Sequence, residues 1–378
     1  MRSYPLQLLA AAALLLPSAA RAQGTLSTLG FGYPAGLLST RALGTGGAIG
    51  EIDPLSVSNP AALSSFGGSV LYFQAEPEYR TLHVGNASEK TSIARYPLIA
   101  AAFPVTKNVL LGLSVSNLLD RSFETMSRGV QTIADSTVAT TNSFKSDGAI
   151  ADVRLALAWT PRPWLKLGAA AHAITGDNRV SNTQVFDDSS RFARLVDTAT
   201  VGYVGKAYSA GFEVIAGRDW SVAGSYRRGG ALSLKRGDTT LTRASVPDRI
   251  AGSVAFLGIR GSSIAVRTAK DSWSRMAALG SARLRITDGW DTSVGADMLG
   301  PRFGDRSISF RGGARWRTLP FGTSASSVSE TSYSIGAGTL LARGRAALDM
   351  AGIRSTRSAG SNLSETALTL SVGITVRP

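Results

Sequence analysis

The chain contains no cysteine among its 378 residues and only two histidines, His83 and His172. No disulfide can therefore close its core, and two distant histidines cannot form a zinc site unaided. Beyond residue 22 the sequence also lacks any run of about 18 to 20 consecutive apolar residues, which a transmembrane helix requires. These absences exclude a disulfide scaffold and a helical membrane protein.

The first 22 residues have the features of a secretory signal peptide. Arg2 supplies a positive charge, the stretch from Leu6 to Leu16 is apolar but too short to span a bilayer, and the triplet from Ala20 to Ala22 fits the small-x-small cleavage pattern. We therefore expect residues 1–22 to be removed during export and the mature chain to begin at Gln23.

Apolar and polar residues alternate through most of the remaining sequence. At the C-terminus Leu368, Leu370, Val372, Ile374 and Val376 are each separated by one polar or small residue. A strand with this period can be half-buried against a soluble core or against lipid. A soluble sandwich or propeller is one reading, but no blade-length repeat supports a propeller. An exported chain without disulfides can instead pair all its strand edges in a closed barrel.

The connections between the alternating segments differ in length. Short turns occur near residues 105–108, 161–163, 217–219, 258–261 and 342–344, and long polar stretches lie at 119–148, 176–204 and 230–246. Short periplasmic turns and long external loops are typical of outer-membrane barrels. The fold class is therefore all-β, a transmembrane antiparallel β-barrel over residues 68–378. Fourteen strands are predicted if 261–287 is one long strand, and 77–92 is either a small hairpin or part of a loop.

The formal net charge is +14 and comes mainly from arginine. Such a charge can indicate nucleic-acid binding, but no zinc, helix-turn-helix or aromatic-basic stacking motif accompanies it. Arginines that face anionic outer-membrane lipid and lipopolysaccharide, or that line a lumen, explain the charge more simply. We expect no nucleic-acid partner.

Residues 23–67 do not follow the alternation and are rich in Gly, Ser, Leu and Ala. About 45 residues ahead of a barrel need a place, and a fourteen-stranded barrel is wide enough to hold them. We interpret this segment as a hatch in the lumen, with Asp53, Pro54, Asn59 and Pro60 as candidate gating residues. The Asn-Pro pair can equally start a simple turn, because Pro fixes φ and Asn bonds its own backbone.

Two parts of the sequence carry a family resemblance. The first is the run from Arg41 to Gly44, followed by Asp53-Pro54 and by Asn59 to Leu63. The second is the set of closing segments, Arg311 to Trp316, Leu319 to Phe321, Tyr333 to Gly338 and Ala347 to Asp349. Together they resemble the FadL-like outer-membrane transporters and the related PorV-type proteins. The chain departs from this pattern in its end, Val376-Arg377-Pro378, which lacks a terminal aromatic, and in its aromatic content of 7%.

The resemblance implies a barrel with an N-terminal hatch that passes hydrophobic molecules such as long-chain fatty acids across the outer membrane through a lateral opening. It implies an integral outer-membrane location and dependence on the outer-membrane assembly machinery. PorV-type relatives act instead as partners of a secretion-system protein, which is the alternative function. A transporter of this kind requires no cofactor and no catalytic chemistry.

Four arginines are candidate substrate-binding residues. On the predicted registers Arg154, Arg267, Arg311 and Arg315 point into the lumen, and a guanidinium matches the planar geometry of a carboxylate. Asp152, Asp297 and Asp349 fall on the same inward registers, so these arginines can alternatively brace the barrel.

An open porin and an enzyme are the remaining classes. A water-filled pore is disfavoured because residues 23–67 fill the lumen in this interpretation. Catalysis by an outer-membrane hydrolase requires a histidine beside a serine or carboxylate. His172 lies on an inward strand face and no nucleophile motif flanks His83, while Gly44 to Gly50 lacks the Lys-Ser/Thr of a phosphate loop. We therefore predict no catalytic residue and no metal site.

Overall fold

The computed structural model describes residues 26, 30–84, 87–133, 136–188, 191–280, 284–303, 306–322, 327–360 and 363–378. The predicted signal peptide, 1–22, lies outside them. One α-helix, α1, spans Thr40–Gly44, and 3-10 helices span Pro60–Ser65, Trp273–Leu279 and Ala342–Gly344. The strands are β1 Val70–Val84, β2 Ala87–Thr106, β3 Val109–Asp120, β4 Phe123–Ile133, β5 Ser136–Arg162, β6 Leu165–Phe186, β7 Leu195–Ala216, β8 Trp220–Arg236, β9 Thr239–Ser245, β10 Arg249–Phe256, β11 Ser263–Asp271, β12 Arg285–Ile286, β13 Gly289–Phe303, β14 Arg306–Gly322, β15 Ser327–Leu341, β16 Ala346–Ser358 and β17 Leu363–Val376.

These segments form one antiparallel sheet that closes on itself, because β17 pairs with β1. Three strands are interrupted and count once each. Strands β3 and β4 lie end to end along β5, β9 and β10 lie along β8, and β12 and β13 lie along β14. The barrel therefore has fourteen strands, as the sequence predicts. Both the start of β1 and the end of β17 lie at the end of the barrel that carries the short turns.

The prediction of one long strand over 261–287 is wrong. Strand β11 ends at Asp271, and the 3-10 helix Trp273–Leu279 follows it. Three apolar side chains of this helix, Trp273, Met276 and Leu279, are buried in an apolar cluster that also contains Tyr203 and Phe321. Burying these side chains favours folding the chain inward here over continuing the strand.

The polar stretches predicted as long loops are also mostly strand. The ladders between β4 and β5, β6 and β7, and β8 and β9 continue through 119–148, 176–204 and 230–246. The Ser, Thr and Val residues in these stretches favour extended backbone, and ladder hydrogen bonds need no apolar core. Residues 77–92 likewise belong to the β1–β2 hairpin, whose tip, 85–86, lies outside the described residues.

The two faces of the barrel wall differ in chemistry. Large apolar side chains are exposed on the outside, among them Phe73, Ile99, Leu113, Leu155, Val222, Val254, Phe310, Leu370 and Ile374. The inside carries buried polar and charged side chains, including the predicted inward arginines Arg154, Arg267 and Arg311. An apolar exterior around a polar interior is the pattern of a barrel built for a lipid bilayer. No helix among the described residues is long and apolar enough to cross a membrane.

Described residues 30–66, here called the N-terminal segment, lie inside the barrel. Ser39 caps α1 by accepting from the Ala42 N–H, and Asn59 caps the 3-10 helix Pro60–Ser65 by accepting from the Ala61 N–H. The segment contacts the wall on both sides of the lumen, where Thr40 bonds to the Ser371 side chain and Asn59 bonds to the Phe212 backbone carbonyl. The barrel wall and the N-terminal segment thus pack together as one unit.

Replacing Leu155 with arginine tests the lipid-facing surface. Leu155 is 52% exposed and opposes Leu113 in the half of the barrel that carries the short turns, so the variant places a charge in hydrocarbon. We expect a loss of about 2–4 kcal/mol in the free energy of unfolding, measured by urea titration in lipid vesicles. The matched control is Val130→Arg on β4, because Val130 is 69% exposed beyond the end of β3. Equal losses in both variants would show that the edge of the hydrocarbon layer does not lie between Leu155 and Val130.

Candidate functional site

The predicted gating residues hold the N-terminal segment in shape. Asp53 Oδ2 accepts hydrogen bonds from the hydroxyls of Ser39, at 2.5 Å, and Ser56, at 2.8 Å. Asn59 Nδ2 donates to the Glu51 carbonyl at 2.8 Å and to the wall carbonyl of Phe212 at 3.1 Å. Pro60 begins the 3-10 helix that Asn59 caps, and Pro54 lines a small apolar cavity. Asn59 therefore both starts a turn and ties the segment to the wall.

Ion pairs join the N-terminal segment to the wall, and the pair of Glu51 with Arg267 is fully buried. Glu51 Oε1 accepts from Arg267 Nε at 3.1 Å, and Glu51 Oε2 accepts from the Ser225 hydroxyl at 2.7 Å. In α1, Arg41 Nε donates to Asp297 Oδ2 at 2.9 Å. Removing one member of a buried pair leaves the other uncompensated, so these contacts resist displacement of the segment.

Wall glycines let the backbone of the segment approach closely. A Cβ at Gly313 would lie 2.2 Å from the carbonyl carbon of Thr45, and one at Gly295 would lie 2.1 Å from the Thr45 oxygen. A Cβ at Gly168 would lie 2.4 Å from the Ala61 nitrogen. No side chain fits at these positions while the segment stays in place.

Replacing Gly313 with valine should therefore displace the segment and leave the strands paired. We expect the conductance of the reconstituted barrel to rise at least tenfold, because the filling no longer fits against the wall. Planar-bilayer recordings measure this, with folding verified by heat-modifiable gel mobility. Gly352→Val is the control, since a Cβ at Gly352 meets nothing within 4 Å. Wild-type conductance in the Gly313 variant would show that the segment adjusts in place.

The wall contains a notch between β2 and β3. Their ladder runs from Thr106 and Val109 to Leu98 and Ser116, and in the described part of the chain it does not continue beyond that pair. The N-terminal segment occupies the notch. Tyr33 exchanges both backbone hydrogen bonds with Asp120, at 2.8 and 2.9 Å. Gly36 follows, and a Cβ there would lie 2.6 Å from the Pro97 oxygen, so only glycine fits between the strands.

The Tyr33 side chain sits among three guanidinium groups. The guanidinium carbons of Arg95, Arg317 and Arg357 lie 4.8–4.9 Å from its ring centre, within the range of cation–π contacts. Its hydroxyl accepts from Arg317 and Arg357 and donates to Glu330 Oε2 at 3.1 Å. Burial raises the pKa of the Tyr33 phenol, so the ring remains neutral. Tyr33 is thus an anchor of the segment beside the notch, which sequence reasoning missed because nothing in the local sequence marks it.

An internal cavity of about 100 Å³ lies between the segment and the wall. One side is apolar, with Leu37, Leu38 and Leu43 from the segment and Trp273 from the inward 3-10 helix. The other side is charged and carries four arginines and five carboxylates from the wall, Arg249, Arg267, Arg315, Arg317, Glu76, Glu78, Asp271, Asp291 and Glu330. The cavity thus places apolar side chains opposite arginines that lie among carboxylates.

The structure brings two of the four predicted arginines together at this cavity. Arg315 donates to both oxygens of Asp291, at 2.7 and 2.8 Å, and Arg267 Nη1 donates to the same carboxylate at 3.2 Å. The Arg315 side chain is 15% exposed and that of Arg267 is fully buried. The sequence did not point to Arg249 or Arg317, which also line the cavity, although Arg317 is two residues from Arg315 and lies on the same face of the strand.

The other two predicted arginines lie elsewhere. Arg154 Nη1 donates to the Val57 carbonyl at 2.8 Å and borders a smaller apolar cavity of about 20 Å³. Arg311 pairs with Asp297 at 3.2 Å and with Asp349 at 2.6 Å. Arg311 thus pairs with two inward carboxylates of the wall, whereas Arg154 bonds to the backbone of the N-terminal segment.

No family model and no curated protein matches the sequence, but solved structures match the fold. A FadL homologue from Pseudomonas aeruginosa has a TM-score of 0.64 and 13% identity, and the match covers 92% of this chain and 99% of that one. The toluene transporter TodX from Pseudomonas putida has a TM-score of 0.59 and 13% identity over the same shares of the two chains. The chain therefore has the fold of the FadL-like outer-membrane transporters, as the resemblance in its two ends predicts.

Proposed function

We propose that this protein is an outer-membrane transporter for passive uptake of hydrophobic small molecules such as long-chain fatty acids. The observation that carries the proposal is the cavity inside a lipid-facing barrel, with leucines on one side and arginines among carboxylates on the other. Such a cavity lowers the barrier for an apolar molecule that would otherwise cross polar headgroups and water. The names of the similar structures, a FadL homologue and a toluene transporter, support the same class of ligand.

In this proposal residues 1–22 are a signal peptide, 23–67 are a hatch and 68–378 are the transport barrel. The notch between β2 and β3 is the lateral exit, closed in this structure by Tyr33 and Gly36. Displacement of these residues joins the cavity to the notch, because Tyr33 contacts both. Lipopolysaccharide surrounds the exposed rim, and the assembly machinery inserts the barrel.

Arg315 is the clamp for an anionic headgroup. Arg267 bonds to Glu51 of the segment and to Asp291 of the wall, and its side chain is fully buried, so a ligand cannot reach it from the cavity. Among the described residues Arg315 bonds only to Asp291, and 15% of its side chain remains exposed. A carboxylate entering the cavity meets Arg315 without breaking a contact of the hatch.

Replacing Arg315 with glutamine should lower occupancy by a long-chain carboxylate at least tenfold. Loss of a charge-assisted, bidentate hydrogen bond accounts for an effect of this size. Native mass spectrometry of the detergent-purified protein measures the occupancy. A fatty alcohol of equal chain length has no carboxylate, so its binding should stay unchanged in the variant.

Arg354→Gln is the matched control, because Arg354 is exposed on the outer face opposite Tyr333. Equal losses for the acid and the alcohol would reject Arg315 as a headgroup clamp. Absence of both ligands from the wild-type protein, at saturating concentration, would reject the transporter itself.

The alternative function is a PorV-like partner in protein secretion. The size of the cavity favours it, because about 100 Å³ is well below the roughly 300–1,000 Å³ of drug-sized ligand sites. A barrel whose lumen is filled by the N-terminal segment can act as a scaffold without any movement, whereas transport requires the segment to move. Stable co-purification of a secretion-system protein with an empty barrel would favour the scaffold.

A further inference from the structure

Asp152, His172 and Ser209 form a hydrogen-bonded row across three neighbouring strands, β5, β6 and β7. His172 Nδ1 lies 2.9 Å from both carboxylate oxygens of Asp152, and His172 Nε2 lies 2.8 Å from the Ser209 hydroxyl. All three side chains face the lumen and are buried. The direct cross-strand neighbours of His172 are Arg154 and Ala207, so Asp152 and Ser209 reach it diagonally.

The chemistry of each contact fixes the proton positions in the neutral ring. A carboxylate only accepts, so the Nδ1 facing Asp152 carries the proton. Nε2 is then the acceptor for the Ser209 hydroxyl. A serine bonded to a histidine that a carboxylate orients is the arrangement of an activated nucleophile, and it is recognised by geometry and not by sequence order.

Guanidinium donors without a hydrogen-bond partner among the described residues border the row, and one of them, Arg227 Nη2, lies 3.9 Å from Asp271 Oδ1. Arg227 is the cross-strand neighbour of Ser209, and its Nη1 lies 3.8 Å from Asp152 Oδ2. Its Nε and Nη2 have no hydrogen-bond partner among the described residues, and the same holds for Nε and Nη2 of Arg154. Buried donors without partners are costly in a folded protein and rare. Aimed at a reacting carbonyl, such donors stabilise the oxyanion that forms there.

Apolar side chains lie next to the row on one side. Ile174 opposes Asp152 in register and Ala207 opposes His172, and both belong to the apolar cluster that includes Tyr203. On the other side the N-terminal segment approaches, with the Val57 carbonyl bonded to Arg154. The row therefore lies between an apolar cluster on one side and the N-terminal segment on the other.

We propose that Ser209, His172 and Asp152 form a catalytic site that hydrolyses carboxylic esters with an apolar acyl chain inside the lumen. Ser209 Oγ attacks the ester carbonyl and its proton moves to His172 Nε2, while Arg227 donates to the oxyanion. The ester C–O bond then breaks, and the leaving alcohol takes the proton from Nε2. Water next attacks the acyl group on Ser209 and gives a proton to Nε2. The acyl–Oγ bond breaks, the carboxylic acid leaves and the proton returns to Ser209.

This activity is separate from the proposed transport. It adds a chemical step to a barrel of a fold whose named relatives are transporters. The sequence interpretation set His172 aside because it lies on an inward strand face; its partners are 20 and 37 residues away, and no motif joins them.

The test uses the full-length protein folded in detergent. A fluorophosphonate probe should label Ser209, located by peptide mass spectrometry, and p-nitrophenyl butyrate should be hydrolysed in a Ser209-dependent way. Ser209→Ala and His172→Gln should each lower the hydrolysis rate at least a hundredfold, in line with the loss of a nucleophile or base. Asp152→Asn keeps the shape but favours the wrong ring tautomer, so it should lower the rate while heat-modifiable folding is retained.

Ser253→Ala is the control, because Ser253 is another buried, inward serine whose hydroxyl has no partner among the described residues. Its rate and the labelling of Ser209 should match the wild type. Equal labelling of Ser253 and Ser209, no label on Ser209, or an unchanged rate in Ser209→Ala would each overturn the proposal.

Discussion

Replacing Arg357 with methionine is expected to lower the free energy of unfolding by about 3–5 kcal/mol, the usual cost of breaking a buried ion pair. Arg357 is fully buried and donates to Glu78 at 2.9 Å, Glu330 at 2.5 Å and Glu365 at 2.6 Å. It also packs against the Tyr33 ring. Its removal leaves carboxylates from three strands close together without the cation that they share. The methionine fills part of the volume but offers no donor.

Urea titration in detergent, followed by tryptophan fluorescence, measures this loss. The control is Arg354→Met on the same strand, where the side chain is exposed on the outer face; a change below about 0.5 kcal/mol is expected there, as at surface positions generally. Combining Arg357→Met with Glu365→Gln should recover part of the loss, because one uncompensated charge is removed. Equal stability of the two single variants would show that the carboxylates find other partners.

The strand pattern and the direction of the inward arginines were predictable from the sequence, because a two-residue period fixes which face each side chain takes. Arg154, Arg267 and Arg311 all lie on the inner face as their parity predicts. The contacts between side chains on different strands were not predictable in this way. Which carboxylate meets which arginine depends on register, and register depends on turn lengths that composition alone leaves open.

The wrong predictions also concern features that depend on contacts between distant segments. Polar stretches such as 176–204 were predicted as loops because loops are usually polar, yet their ladder partners lie in the adjacent stretch. The strand predicted over 261–287 failed because the inward burial of Trp273 depends on a lumen formed by distant segments. Tyr33 gave no sequence signal for the same reason, since its arginine partners come from β2, β14 and β16.

Locking the N-terminal segment to the wall should stop transport. The hydroxyls of Thr40, in α1, and Ser371, on β17, lie 2.8 Å apart, so cysteines at both positions are close enough for a disulfide. The absence of native cysteine makes this the only disulfide that the variant can form. We expect uptake of a radiolabelled long-chain fatty acid, in a host without its own uptake barrel, to fall at least tenfold when Thr40→Cys/Ser371→Cys is oxidised. Reduction should restore it.

A second disulfide separates this effect from cross-linking in general. Ser332 and Ser355 are also buried and inward, with hydroxyls 3.0 Å apart, but both belong to the wall. Oxidised Ser332→Cys/Ser355→Cys should transport at the wild-type rate, because transport through a cavity of about 100 Å³ requires movement of the segment and not of the wall. Undiminished uptake by the locked Thr40 variant would mean that ligands pass the segment where it stands. No uptake by any variant, the wild type included, would leave the sealed scaffold as the function of the barrel.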